Sequence, residues 1–282
     1  MNKTDTMSHK KEPKKALLVV SFGTSYEDSR EKTIGEVEKA LSAAFPDYDV
    51  RRAFTSRIIL KILKERDGLS IDDVETALKR LKHDGYDEIV IQPTYMISGN
   101  EYDNMLEAAS RHREEFTSFK VGAPALDRDA DFKEIVGLLV KETGFYDREE
   151  TAVVFMGHGS EHKANAVYAK MDRYFKESGH ENYVMGTVEA VPSLSSVISE
   201  VKRMNEKNPQ IKKVVLLPFM VVAGDHANHD MAGDDEDSWK SSFKAAGFET
   251  SCIIKGLGEY PGIQKLFVRH AREAIEGGQA FS

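Results

Sequence analysis

The chain repeats itself, and the repeating unit is long enough to be a domain. Ala16–Ser25, ALLVVSFGTS, returns as Thr151–Ser160, TAVVFMGHGS, and Gln92–Met105, QPTYMISGNEYDNM, returns as Leu217–Met231, LPFMVVAGDHANHDM. The copies lie about 125 to 136 residues apart, far beyond the period of a solenoid unit, so the chain is expected to build one architecture twice. Phe22 stands where the second copy has His158, Thr55 where it has Glu189, and Glu101 where it has His226. The duplication is therefore asymmetric, with imidazoles gathered in the second half.

The elements alternate. Lys15–Ser21 is almost continuously apolar, as a parallel strand buried on both faces requires. Helical spacing of Ile34, Val37, Leu41 and Ala44 predicts a helix over Tyr26–Ala44, and Tyr48–Phe54 reads as the second strand. Helices follow over Arg57–Glu65 and Ile71–Asp84, the latter with Ser70 and Asp73 as a capping pair and Gly85 as its stop. Strand Glu88–Gln92, helix Glu101–Phe116, strand Phe119–Gly122 and helix Phe132–Thr143 complete the first unit. The second unit runs through strand Thr151–Met156, helix Asn165–Glu177, strand Tyr183–Val188, helix Leu194–Asn205 and strand Lys213–Phe219. It closes with helix Ser238–Ala246, strand Glu249–Ile254 and helix Gly262–Ile275. Such alternation implies α/β architecture with parallel sheets and right-handed crossovers, hence two lobes facing a cleft.

Domain limits follow: a polar, disordered tail over 1–14, an N-terminal lobe over 15–128 and a C-terminal lobe over 129–282. No low-complexity linker marks the join, which falls between 126 and 150, and the helix inside it can pack on either lobe. The single cysteine, Cys252, excludes an internal disulfide and reads as a small buried strand residue. A net charge of −8 argues against general nucleic-acid binding, and no run approaches the roughly 18 apolar residues of a membrane span. The tail lacks the apolar core of an export signal, which points to a cytoplasmic protein.

In parallel α/β sheets ligands collect beyond the carboxyl ends of the strands. His158, Glu189 and His226 are expected there in the second unit, and two imidazoles with a carboxylate suit a borderline divalent cation such as cobalt, iron, nickel or zinc. Gly157 and Gly159 flank His158 and allow a sharp bend, whose plain alternative is a tight turn with an exposed ring. His229 shares the GDHANHDM segment, and His162 stands four residues after His158; both are weaker candidates. The acidic run Asp234–Asp237 can attract cations or cap the next helix, while His9, His83, His112, His180 and His270 read as solvated surface. Neither a P-loop nor a dinucleotide fingerprint is present, and SFGTS does not match a nucleophile elbow.

Several segments together resemble the ATP-independent sirohydrochlorin cobalt chelatases of anaerobic cobalamin synthesis, the CbiK type. They are LLVVSFGTSYEDSREKTI, AFTSRII, QPTYMISGNEYDNM, MGHGS, TVEAVPSL and LPFMVVAGDHANHDMAGDDEDSWK, and the similarity runs from about Lys15 to the C-terminus. The resemblance implies the chelatase fold shared with ferrochelatase, two flavodoxin-like lobes with a tetrapyrrole between them. It places the family's metal-binding and catalytic histidines on His158 and His226 and the acidic ligand on Glu189. The implied chemistry is Co²⁺ insertion into sirohydrochlorin with loss of two pyrrole protons. Co²⁺ is then a substrate rather than an obligatory cofactor, Fe²⁺ or Ni²⁺ can compete for the same ligands, and homo-oligomers are possible.

Arg51, Arg52 and Arg57, with Ser21, Thr24, Ser25, Thr55 and Ser56, fall near strand ends of the first unit. That makes the first lobe the expected clamp for the substrate's carboxylates, with Ser21, Thr24, Ser25 and Arg57 as the substrate-binding candidates. Two alternatives stay open from sequence: a sirohydrochlorin ferrochelatase, and a tetrapyrrole or metal carrier without turnover.

Overall fold

A computed structural model describes residues 12–277. Most of the expected tail, including His9, lies outside the described residues, as do the last five positions of the 129–282 lobe. The first half contains β1 (Lys15–Ser21), α1 (Glu27–Arg30), α2 (Glu36–Ala44), β2 (Asp49–Phe54), α3 (Arg57–Asp67), α4 (Val74–His83), β3 (Glu88–Pro93), α5 (Asn100–Ser110), β4 (Ser118–Val121) and α6 (Asp129–Thr143). The second contains β5 (Thr151–Gly157), α7 (Ala166–Glu177), β6 (Tyr183–Thr187), α8 (Leu194–Lys207), β7 (Lys213–Pro218), α9 (Trp239–Ala245), β8 (Glu249–Cys252) and α10 (Pro261–Gly277).

Both sheets are parallel, ordered β2-β1-β3-β4 and β6-β5-β7-β8. In this flavodoxin-like order the chain leaves the central strand to one side and returns on the other, which opens a crevice at its carboxyl end. The same hydrogen-bond register repeats: Ser21 pairs with Phe54 in one sheet and Gly157 with Thr187 in the other. Thr55 and Ser56 then donate to the carbonyls of Ser21 and Phe22, as Val188 and Glu189 donate to those of Gly157 and His158. Ser56, and not Thr55, is therefore the counterpart of Glu189.

Side-chain alternation along the central strands separates two layers of core. Leu17 and Val19 join Val153, Phe155, Val215 and Leu217 in one apolar cluster shared by both sheets, whereas Ala16, Leu18 and Val20 pack outward under α4 and α5. The shared cluster makes the lobes one packed body.

The last helix of each repeat packs on the opposite lobe. α6 lies on α7, stacks Phe132 on Tyr174 and reaches Tyr183 of β6 through Thr143; α10 lies on α2, β3 and β4. A division at 128/129 thus leaves α6 with the lobe it packs on, while α10 belongs to the first lobe by packing and to the second by sequence. Asp131 of α6, fully buried, ties the two helices together by accepting from Arg269 at 2.6 Å and His270 at 3.2 Å.

Other differences from the sequence expectations have local causes. A π turn over Glu31–Gly35 interrupts the first helix. The helix expected from Ile71 begins at Val74, because Asp72 is bridged to Ala53 beside β2, and Asp73 alone caps it by accepting from Thr76 N–H. The helix expected to reach Phe116 stops at Ser110 and gives way to a 3-10 turn. His112 and His270 are buried instead of solvated, satisfied by Glu115 and Asp131. Cys252 is half-buried on an edge strand, and burial pushes its thiol pKa up, away from nucleophilic character.

Candidate metal centre

Three strand ends bring His158, Glu189 and His226 together. His158 follows β5, Glu189 follows β6, and His226 sits in a helical turn beyond β7, immediately before a π turn over Ala227–Met231. One ligand atom from each lies within 4.8 Å of the others, and the two imidazoles meet edge to face with ring centroids 4.7 Å apart. A second such group of three ligating side chains does not occur among the described residues.

The ring orientations follow from hydrogen bonding. His158 Nδ1 lies 2.8 Å from the Gly159 carbonyl, and His226 Nδ1 lies 2.8 Å from Asp230 Oδ2. A carbonyl and a carboxylate only accept, so each Nδ1 is the donor, and in the neutral ring Nε2 carries the lone pair. This is the tautomer that a metal ligand needs. Glu189 Oε2, 3.7 Å from His158 Nδ1, supplies negative charge beside both rings.

Two glycines shape the His158 turn for different reasons. Gly159 has φ +88°, a conformation that a side chain would strain. Gly157 instead makes room, since a Cβ there would come within 2.2 Å of the Tyr168 ring. Tyr168 is buried, and its hydroxyl accepts from Gly159 N–H at 3.4 Å. Gly157→Ala is therefore expected to destabilise the fold by about 1–3 kcal/mol through overpacking and to displace His158. Thermal melts and metal binding measured together check this; wild-type values for both would contradict it.

The centre opens into a cleft of about 570 Å³ between the lobes, a size typical of small-molecule sites. Its lining from the first lobe includes Ser21, Phe22, Thr24, Ser25, Tyr95 and Glu101. Phe22 is 47% exposed, unusual for a phenylalanine, and occupies the place that His158 holds in the other lobe. Glu101, the counterpart of His226, accepts from Thr55 at 3.0 Å, and Thr55 accepts in turn from Tyr95. Burial pushes the Tyr95 phenol well above its ordinary range, so it remains a donor. Tyr26 Oη donates to Asp225 at 3.2 Å, and His162 Nε2 lies 3.4 Å from Asp103, so polar contacts link the lobes beside the cleft.

The model of the CbiK cobalt chelatase family matches residues 15–276. The chain belongs to that family. It is similar to the sirohydrochlorin cobaltochelatase of Salmonella typhimurium, with 41% identity over 262 residues, 93% of this chain and 97% of that protein. It is also similar to the sirohydrochlorin cobaltochelatase CbiKC of Nitratidesulfovibrio vulgaris, at 30% identity over 93% of this chain and 91% of that one. Among solved structures, SirB from Bacillus subtilis with Fe³⁺ has the same fold at a TM-score of 0.64 and 18% identity, covering 94% of this chain and 98% of that one. CbiX, described as the terminal enzyme of siroheme biosynthesis in denitrifying bacteria, follows at 0.53 and 14%, with 92% and 99% covered.

Within this chelatase fold the other sequence candidates separate. Ser21, Thr24 and Ser25 line the cleft, although the Ser21 hydroxyl already accepts from Thr94 and Thr24 Oγ1 from Tyr26 N–H. Arg57 is exposed at the start of α3 and is absent from the lining, where its neighbour Ile59 takes part. Arg51 and Arg52 are turned away, one onto the Tyr86 hydroxyl and the other onto Glu38 with two bonds of 2.6 and 2.7 Å. Arg51 and Arg52 thus do not reach the cleft, whose lining among the described residues contains neither arginine nor lysine. His229 is exposed and pairs with Asp225, and Asp234 pairs with Lys240, while Ser238 and not the acidic run caps α9. Glu101, Tyr168 and Asp230 are the cleft and ligand-supporting groups that sequence ranking missed; for Glu101 the signal was its alignment with His226.

No helix among the described residues is long and apolar enough to cross a membrane.

Proposed function

We propose that the protein inserts Co²⁺ into sirohydrochlorin, with His158, Glu189 and His226 holding the incoming metal. One observation carries this reading: two imidazoles, each bonded at Nδ1, and one carboxylate converge at the wall of an interlobe cleft. Such a mixed nitrogen and oxygen set binds a borderline divalent cation firmly enough to load it and openly enough to surrender it. Curated relatives covering nearly the whole chain are sirohydrochlorin cobaltochelatases, which supports the choice of metal and macrocycle.

The two lobes divide the work. The second presents the metal to one face of the macrocycle, and the apolar Phe22 of the first offers a surface for a flat ring. Insertion exchanges two pyrrole N–H bonds for metal–nitrogen bonds, so two protons must leave. The imidazole released by the metal can take one, and the Glu101 carboxylate on the first-lobe wall is placed to accept another. Because cationic side chains are absent from the lining, the peripheral carboxylates are directed toward the cleft rim and water, where Ser25 and the exposed Arg57 remain available.

Anaerobic insertion assays with purified protein test the proposal. Repeated turnover with Co²⁺, followed by the absorbance change of the macrocycle, is the expected result. Arrest near one equivalent would indicate a carrier, and a clear preference for Fe²⁺ at matched free metal would replace the cobalt assignment.

A further inference from the structure

The two histidines are held by unlike partners. His158 donates to the neutral Gly159 carbonyl, with the Glu189 carboxylate beyond hydrogen-bond distance at 3.7 Å, whereas His226 donates to the Asp230 carboxylate, the two bonds each being 2.8 Å. A hydrogen bond to an ionised acceptor is about twice as strong as one between neutral groups, and it makes the imidazole a better electron donor at its other nitrogen. Asp225, the other carboxylate of this turn, is engaged by Tyr26 and His229, which leaves Asp230 as the acceptor for His226. Asp230 lies outside the group of converging ligand atoms, so it acts on the metal through His226.

We infer that Asp230 is a positioning residue that makes His226 the anchoring ligand for a divalent cation, while His158 is the ligand that lets go. The rings of His158 and His226 pack edge to face, 4.7 Å between centroids, and each offers a ligand atom within 4.8 Å of a Glu189 oxygen. Asp230 holds the His226 ring through Nδ1, and its charge strengthens the donor. A metal held by one strong and one weaker imidazole can be loaded and then handed on in steps. This inference rests on the metal-centre reading proposed above.

Binding of Co²⁺ alone, without macrocycle, provides the test. Titrations of the wild type, His158→Ala, His226→Ala, Asp230→Asn, Asp230→Ala and the double variant His226→Ala/Asp230→Asn would be compared by calorimetry or visible absorption. Asparagine keeps an acceptor without charge and alanine removes both, so affinity is expected to fall in the order Asp, Asn, Ala, by about 10–100-fold in total. His226→Ala should weaken binding more than His158→Ala. In the His226→Ala background, Asp230→Asn should have no further effect, a coupling that a merely structural role would not produce. Unchanged affinity in both Asp230 variants, or an equal loss with and without His226, would overturn the inference. If the wild type bound Co²⁺ independently of both histidines, the metal-centre reading itself would fall, a distinct outcome.

Discussion

Replacement of His158 or His226 by alanine is expected to lower the Co²⁺ insertion rate by about 10²- to 10⁴-fold, the range over which a positioned acid or base usually contributes. Both side chains are solvent-accessible, 47% and 33%, and neither belongs to an apolar cluster. Their removal leaves only the Gly159 carbonyl and the Asp230 carboxylate short of a donor, and water can replace it. Stability should therefore change little while activity collapses. Initial rates at saturating macrocycle, with thermal melts on the same samples, separate these effects. Wild-type rates in both variants would remove the proposed mechanism, whatever the fold.

The second large effect lies far from the cleft. Asp131→Ala is expected to destabilise the protein by about 1–3 kcal/mol, because it removes the buried acceptor of His270 and one of the three carboxylates around Arg269, which keeps Glu134 and Glu273. Burial alone would push the Asp131 carboxyl pKa up. Hydrogen bonds from Arg269, the Arg128 backbone N–H and His270 outweigh it, and the net pKa lies below the ordinary carboxylate range. A carboxyl depressed in the folded state stabilises it fully above the unfolded value, near about 3.9, and this contribution is lost as pH falls through the folded value. Asp131→Ala should accordingly show its full deficit in urea at pH 7, and the deficit should shrink in strong acid. A pH-independent difference, or none, would show that this network does not join the lobes as described.

Much of this architecture was legible before any coordinates. The strands of both sheets were readable because those at the sheet centres are buried on both faces, so Ala16–Val20 and Ala152–Met156 are unbroken apolar runs. Helix ends were less legible wherever a tertiary contact intervened. Asp72 joins β2 by a bridge, and nothing local to Ser70–Asp73 announces that. The buried His112 and His270 failed for a similar reason, since their carboxylate partners Glu115 and Asp131 remove the cost that makes burial of histidine improbable.

The candidate site divides in the same way. His158, Glu189 and His226 were recoverable because strand ends in a parallel sheet share one rim, so position along the chain predicts proximity. The directions of Arg51 and Arg52 were not. Arg51 and Arg52 sit on an edge strand, and the direction of a long side chain depends on neighbours such as Tyr86 and Glu38 that only the fold supplies.

Taken alone, the sequence determined that a parallel α/β unit is built twice, and that ligating side chains collect in the second copy. Both properties are carried by local pattern: apolar runs, turn residues and the spacing between them. The tertiary structure decided which helix covers which sheet, which group each histidine Nδ1 is bonded to, and that Arg51 and Arg52 turn away from the cleft. Those outcomes depend on contacts between residues distant in sequence, such as Asp131 with Arg269, whose energies exist only once the chain has closed on itself.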